Sequence, residues 1–408
     1  MKWAQLHIGD LIKSGEAEIQ TGPFGTQLKA SDYTPEGTPV INVRNIGYSD
    51  LRLDSLEYVP DRIKDRLKQH ILAKDDIVFG RKGAVDRHAI ISEEQSGWVQ
   101  GSDCIRLRLS TQRLNSHYLS YALLSETHKK WMLIQGSNKA TMASLNHDVI
   151  SRIPFALPPL PVQDKIIGVL GQFKNLIENN RRRIALLEQA ARLLYEEWFV
   201  RFRVTVPMRE VQPEQWRRRF ISEIVTTQYG YTDSASVEPI GPKFLRGTDI
   251  NKTSYIDWDS VPYCSDRTLD FEQYALKPND ILVIRMADPG KVAIVEREIR
   301  AVFASYLVRL QILPDAEVRP LYLFYVMASP AYSDYISGSS EKSTRKSASA
   351  PLLTNFEIRI PPLELQQKFV DTVGTWRKEI NLLLQQNGLL AKARDLLLPR
   401  LMNGEVKV

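Results

Sequence analysis

A chain of 408 residues is too long for one compact core, and at about 100 to 200 residues per domain two or three units are expected. With 43% hydrophobic and 25% charged residues it has enough apolar material to fold, which excludes a disordered protein, and no uncharged apolar run reaches the roughly 18 to 20 residues of a membrane span. A net charge of +6 permits a polyanionic partner without requiring one, and since MKWAQLHIGD has no signal-peptide core the expected address is cytoplasmic.

The first 157 residues read as a β-rich mixed head. TPVINVRNI, DDIVFGR, AIIS and CIRLRLS alternate as strands do, and one short helix is predicted around Ser116 to Gln135. The polar loop GSNKATMASLN, residues 136 to 146, then offers Asn138, Lys139 and Thr141 as candidate DNA contacts: small residues admit a phosphate backbone and a cation neutralises it. Arg81 and Lys82, just after a strand, are candidates for the same groove, and Arg44 and Lys29 for phosphates.

At Pro158-Pro159 the pattern turns helical, because proline cannot continue a strand ladder but suits a first helical turn. Ile166, Leu170, Phe173, Ile177, Asn180, Ile184, Leu187, Ala191, Leu194 and Trp198 then step by fours and threes, a heptad seam with one polar position.

The rest of the chain repeats this plan. Asp76-Ile77 matches Asp280-Ile281, Arg81 matches Arg285 and Tyr118 matches Tyr322, all 204 residues apart; after one deletion Pro158-Pro159-Leu160 and Gln163 match Pro361-Pro362-Leu363 and Gln366 at 203. DILVIR, VAIVE and YLVRLQIL supply the second head's strands, and its short helix is predicted around Pro320 to Ile336. The loop SGSSEKSTRKSASA, residues 337 to 350, contributes Lys342, Thr344, Arg345 and Lys346; Arg285 and Lys291 follow the repeated strand, and Arg246 and Lys243 are further phosphate candidates. The second seam, Phe369, Val373, Trp376, Ile380, Leu383, Asn387, Leu390, Arg394, Leu397 and Leu401, has two polar interruptions.

Two helices with matching apolar stripes are expected to pair antiparallel, which makes one chain imitate a twofold dimer and sets its two unlike heads at a fixed spacing along DNA. The runs Arg181 to Arg183 and Arg217 to Arg219 read as solvated faces or contacts to a partner protein rather than base readers; in the first, successive helical residues fan about 100 degrees apart.

No catalytic constellation stands out. There is no GxxxxGK[ST] loop, GPFGT precedes no clear helix, and Ile360-Pro361-Pro362-Leu363 is a helix entry rather than an amino-methyltransferase motif. Asp75-Asp76 and Asp257 with Asp259 lack the third acid and lysine of a nuclease. Cys104 and Cys264 read as packed residues, six scattered histidines form no ligand pair, and no metal site is expected.

TGPFGTQLKASDY from Thr21, PVINVRNI from Pro39, TQYGYTDSA from Thr227, GPKFLRGTDI from Gly241, the rod openings PPLPVQDKI and PPLELQQKF, and the closing LLEQAARLLYEEWFVRFR and LLAKARDLLLPRLMNGEV together resemble the specificity subunits of type I restriction-modification systems. The resemblance covers nearly the whole chain. It implies an α+β architecture: target-recognition domains at 1–157 and 206–360, spacer helices at 158–205 and 361–408, and the helices paired as an antiparallel coiled coil. It implies a bipartite double-stranded DNA target and a chain with no active site or cofactor of its own. Two modification subunits would methylate adenine with S-adenosylmethionine, and restriction subunits would cut and translocate DNA with ATP and Mg2+. By analogy the rod flanks dock the modification subunits, with Tyr195, Trp198 and Phe199 as candidate contacts besides their role in the seam. The competing expectation is a coiled-coil scaffold whose heads bind protein.

Overall fold

The structure is a computed structural model and describes residues 3–53, 55–136, 143–204, 213–267, 269–340 and 347–408. The chain forms two compact units, one of residues 1–177 with 389–408 and the other of residues 178–388, so each long helix gives part of its length to each unit.

In the first unit a four-stranded antiparallel sheet orders Ala17–Thr21, Cys104–Leu109, Ile77–Gly80 and His88–Ile90. The second unit repeats that order with Val225–Tyr229, Leu307–Ile312, Ile281–Ile284 and Val292–Ile294. Ile77–Gly80 and Ile281–Ile284 are buried along their whole length, as expected of inner strands covered on both faces. A smaller sheet flanks each: Thr38–Ile41 with Glu57–Val59 and Val99–Gln100 in one, Lys243–Leu245 parallel to Ala301–Phe303 in the other.

Two features differ from expectation. Each head opens on a strand that pairs with the last strand before the double proline, Ala4–His7 with Pro154–Leu157 and Arg217–Phe220 with Glu357–Ile360. The Arg217 to Arg219 run thus lies on an exposed strand, with Arg217 paired to Glu317 and Arg218 to Glu357. The single short helix expected in each head is two, Ser116–Leu123 and Glu126–Gly136, then Pro320–Met327 and Pro330–Ser340. Serine marks both breaks: Ser125 Oγ accepts from His128 N and Ser329 Oγ from Tyr332 N, satisfying amides that a new helix leaves open.

The long helices run Leu160–Tyr195, followed by a π-helical turn Glu196–Val200, and Leu363–Met402. Gln163 and Gln366, both fully buried, anchor their first turns. Gln163 accepts from Asn115 N and donates to the carbonyls of Arg113 and Pro158; Gln366 accepts from Arg319 N and donates to those of Glu317 and Pro361. Each glutamine thereby ties its helix to the segment leading into the head's helix pair.

The seams pair antiparallel within each unit. In the second, Ile184 packs with Ile380 and Leu383, while the rings of Tyr195, Trp198 and Phe199 lie 5.2–6.4 Å from that of Phe369. In the first, Ile166 and Leu170 share a core with Leu398, Leu401 and Met402. Tyr195, Trp198 and Phe199 are therefore core residues, closed off from a partner.

Candidate nucleic-acid interface

The loops chosen from sequence end beside the strands chosen from sequence. After Ile77–Gly80, Arg81 donates its amide to Asp103 O (2.8 Å) and accepts from Leu145 N (2.7 Å), while Lys82 bridges Ser144. Arg285 repeats this, donating to Tyr306 O (2.9 Å) and accepting from Ala348 N (2.8 Å), with Met286 bridging Ser347. The returning ends of both polar loops are thus stitched to the chain just past the central strand. Asn138, Lys139 and Thr141, and Lys342, Thr344, Arg345 and Lys346, lie outside the described residues.

On this common backbone the side chains differ. The first head presents exposed Lys82, 3.1 Å from Asp103, and Thr21 Oγ1 at 2.8 Å from His147 Nε2. The second replaces these with Met286 and Tyr306, and with Tyr229, whose hydroxyl accepts from Ala350 N (3.1 Å) and whose ring carries the Arg285 guanidinium at 4.9 Å. Arg285 is half-buried and Lys291 exposed. Phe24 stands exposed in the turn after Ala17–Thr21.

Other sequence candidates are engaged elsewhere. Arg44 pairs with Glu57 at 2.8 Å. Arg246 makes a two-pronged contact to Asp249, and Lys243 donates to Val261 O while lying 4.2 Å over the Tyr263 ring. Lys29 is exposed beside the turn Ala30–Asp32, which its own amide caps through Asp32. Sequence reasoning passed over Thr21, His147, Tyr229 and Tyr306; residues other than Lys and Arg give little phosphate-binding signal in sequence, and only the fold brings them to these strand ends.

Asp76 and its repeat Asp280 have structural roles. Asp76 is buried, bound through both oxygens to Arg108 at 2.7 Å and capped by Ala73 N; Asp280 accepts from Gln311 Nε2 and Lys277 N and faces Arg309. Among the described residues no cluster of three His, Cys, Asp or Glu is placed to hold a metal ion. Burial pushes both cysteine thiols up, Cys264 to about 11, so neither is a ready thiolate.

A duplicated α+β body with paired long helices, each half offering its own surface at the same strand ends, defines the class of two-headed specificity proteins. Residues 2–189 and 213–388 match the type I restriction modification DNA specificity domain, and the chain belongs to that family, the specificity subunits of type I restriction-modification systems. It is 22% identical over 373 residues to the type I restriction enzyme MjaVIII specificity subunit of Methanocaldococcus jannaschii, covering 87% of this chain and 85% of that protein. Against the EcoBI specificity subunit of Escherichia coli the identity is 21% over 373 residues, covering 86% and 75%. The crystal structure of a type I S subunit from M. genitalium shares the fold, with a TM-score of 0.57 at 15% identity over 98% of this chain and 96% of that one. No helix among the described residues is long and apolar enough to cross a membrane.

Proposed function

We propose that this chain reads a bipartite double-stranded DNA target, one half-site per head, and directs methylation and restriction carried out by partner subunits. The observation that carries the reading is the repeated strand end with its returning loop: one backbone arrangement in both heads, carrying Lys82 and Asp103 in the first and Met286 and Tyr306 in the second. Two heads with the same framework and different surface chemistry suit two different base sequences. The helices, 36 and 40 residues long, set the spacer between half-sites.

The outer faces of the helices support partner docking. Leu186 and Leu193 stand seven residues apart on the first, with Val200 in the π-helical turn that follows, and Leu382, Leu389 and Leu396 recur every seven residues on the second; all six are exposed although the opposite faces form core. Apolar side chains in that heptad spacing suit partner helices. The catalytic chemistry belongs to those partners: two modification subunits using S-adenosylmethionine, and restriction subunits using ATP and Mg2+.

Salt titration tests the reading. Binding by the complex with modification subunits should weaken steeply with ionic strength and favour one gapped duplex. Salt-independent binding to a protein ligand, without preference among duplexes, would establish the scaffold alternative instead. The purified chain alone is expected to neither cut nor methylate DNA.

A further inference from the structure

The second unit holds a cavity of about 400 Å³ that the reading of base edges leaves unused. Its floor is apolar, formed by buried Phe244, Ile284 and Ala304. Tyr306, 55% exposed, stands at its edge, and Arg285 hydrogen-bonds the Tyr306 carbonyl and the Ala348 amide, which brings the returning segment at Ala348 close to Tyr306.

Electrostatics narrow the occupant. The rim carries Asp233 and Asp288, while its arginine, Arg246, is already held by both oxygens of Asp249. A phosphate would meet carboxylates there. A flat, neutral heterocycle would stack on the tyrosine over an apolar floor and donate an amino group to a carboxylate. Shape narrows it further: the edges of stacked bases lie at the bottom of a groove about 8.5 Å deep, so a hollow that recedes into the protein is filled only by a base that has left the stack.

We propose that this cavity receives one unstacked base bearing an exocyclic amino group, cytosine or adenine, from the half-site read by the second head. The inference rests on the DNA-reading function and assigns a subsite within it.

The test uses the full chain assembled with its modification subunits and duplexes of its mapped target, with an abasic site placed opposite each base of the second half-site in turn. Removing the pairing partner of a base that must leave the stack strengthens binding, by about tenfold for about 1.4 kcal/mol of saved unpairing. A methyltransferase extruding its own adenine gives the same gain at the methylated position, so the expected result is a gain at a second position. That gain should vanish in Tyr306→Ala and in Thr248→Trp, which blocks the opening, while discrimination at the first half-site is unchanged and reports an intact fold. A gain at the methylated position alone, or one unaltered by both variants, overturns the cavity's role and leaves DNA reading standing. Equal binding of the wild-type complex to all duplexes overturns the function beneath it as well.

Discussion

Asn180 donates its side-chain amide to the Asn387 carbonyl oxygen at 3.0 Å, joining the one polar position of the first seam to a polar interruption of the second. Asn180 is buried and Asn387 half-buried, so it is chiefly the Asn180 amide that would carry a desolvation penalty without its partner. The interruption that makes the second seam look weak in sequence is one half of a register mark. Arg394, the other interruption, turns its guanidinium to Asp395 at 2.8 Å.

Replacing Asn387 by leucine should destabilise the second unit by about 1–3 kcal/mol, because the buried Asn180 amide then keeps only its 3.5 Å contact to Gln386, while replacing Asn180 should cost less, since half-buried Asn387 still reaches water. The double replacement should recover most of that loss while loosening the register. Denaturant unfolding of the four proteins in a double-mutant cycle gives the coupling energy, and additive single effects would contradict the pairing.

Gln163→Ala should open three buried hydrogen bonds at the start of the first long helix, and Gln366→Ala the same three at the second, each costing about 3 kcal/mol or more. Hydrogen exchange should rise at Asn115 in the first variant and at Arg319 in the second. A uniform rise across the chain would instead point to global destabilisation.

Acid should loosen the first unit before the second. Burial holds the imidazole of His88 down to about 3 and that of His128 to about 4, and residues 178–388 contain no histidine. Below about pH 6.5 the unfolded chain takes up protons at these positions while the folded chain does not, so stability falls as pH falls, by up to about 1.4 kcal/mol per pH unit for each imidazole. Exchange protection compared at pH 7 and pH 5 measures this. Equal losses in both units would show that the histidines do not govern it.

Substitutions in the heads should act separately. Arg81→Ala or Lys139→Ala should affect the first half-site, and Arg285→Ala or Arg345→Ala the second, with about 1–3 kcal/mol of lost discrimination for a residue that reads bases. Equal weakening on every sequence would make that residue a phosphate contact. Removing one heptad from both helices should alter the tolerated spacer and leave both half-sites unchanged, as methylome mapping would reveal.

Much of this protein is legible in its sequence because duplication writes each local rule twice. The double prolines, the glutamines after them and the heptad stripes are local signals, governed by backbone geometry and side-chain periodicity, and they mark where the helices start and which face is buried. The opening strands are not legible in sequence because Ala4–His7 and Arg217–Phe220 are only four residues long and owe their conformation to partners 137 or more residues away.

By itself the sequence determined the repeat, the two long helices and their buried faces, since those depend on contacts within a few turns of chain. Tertiary structure alone decided that Asn180 meets Asn387, that Asp76 serves Arg108, and that a cavity lies beside Tyr306 in the second head. Each of these depends on groups brought together over long chain separations, and side-chain chemistry read in chain order does not reveal where another segment will arrive.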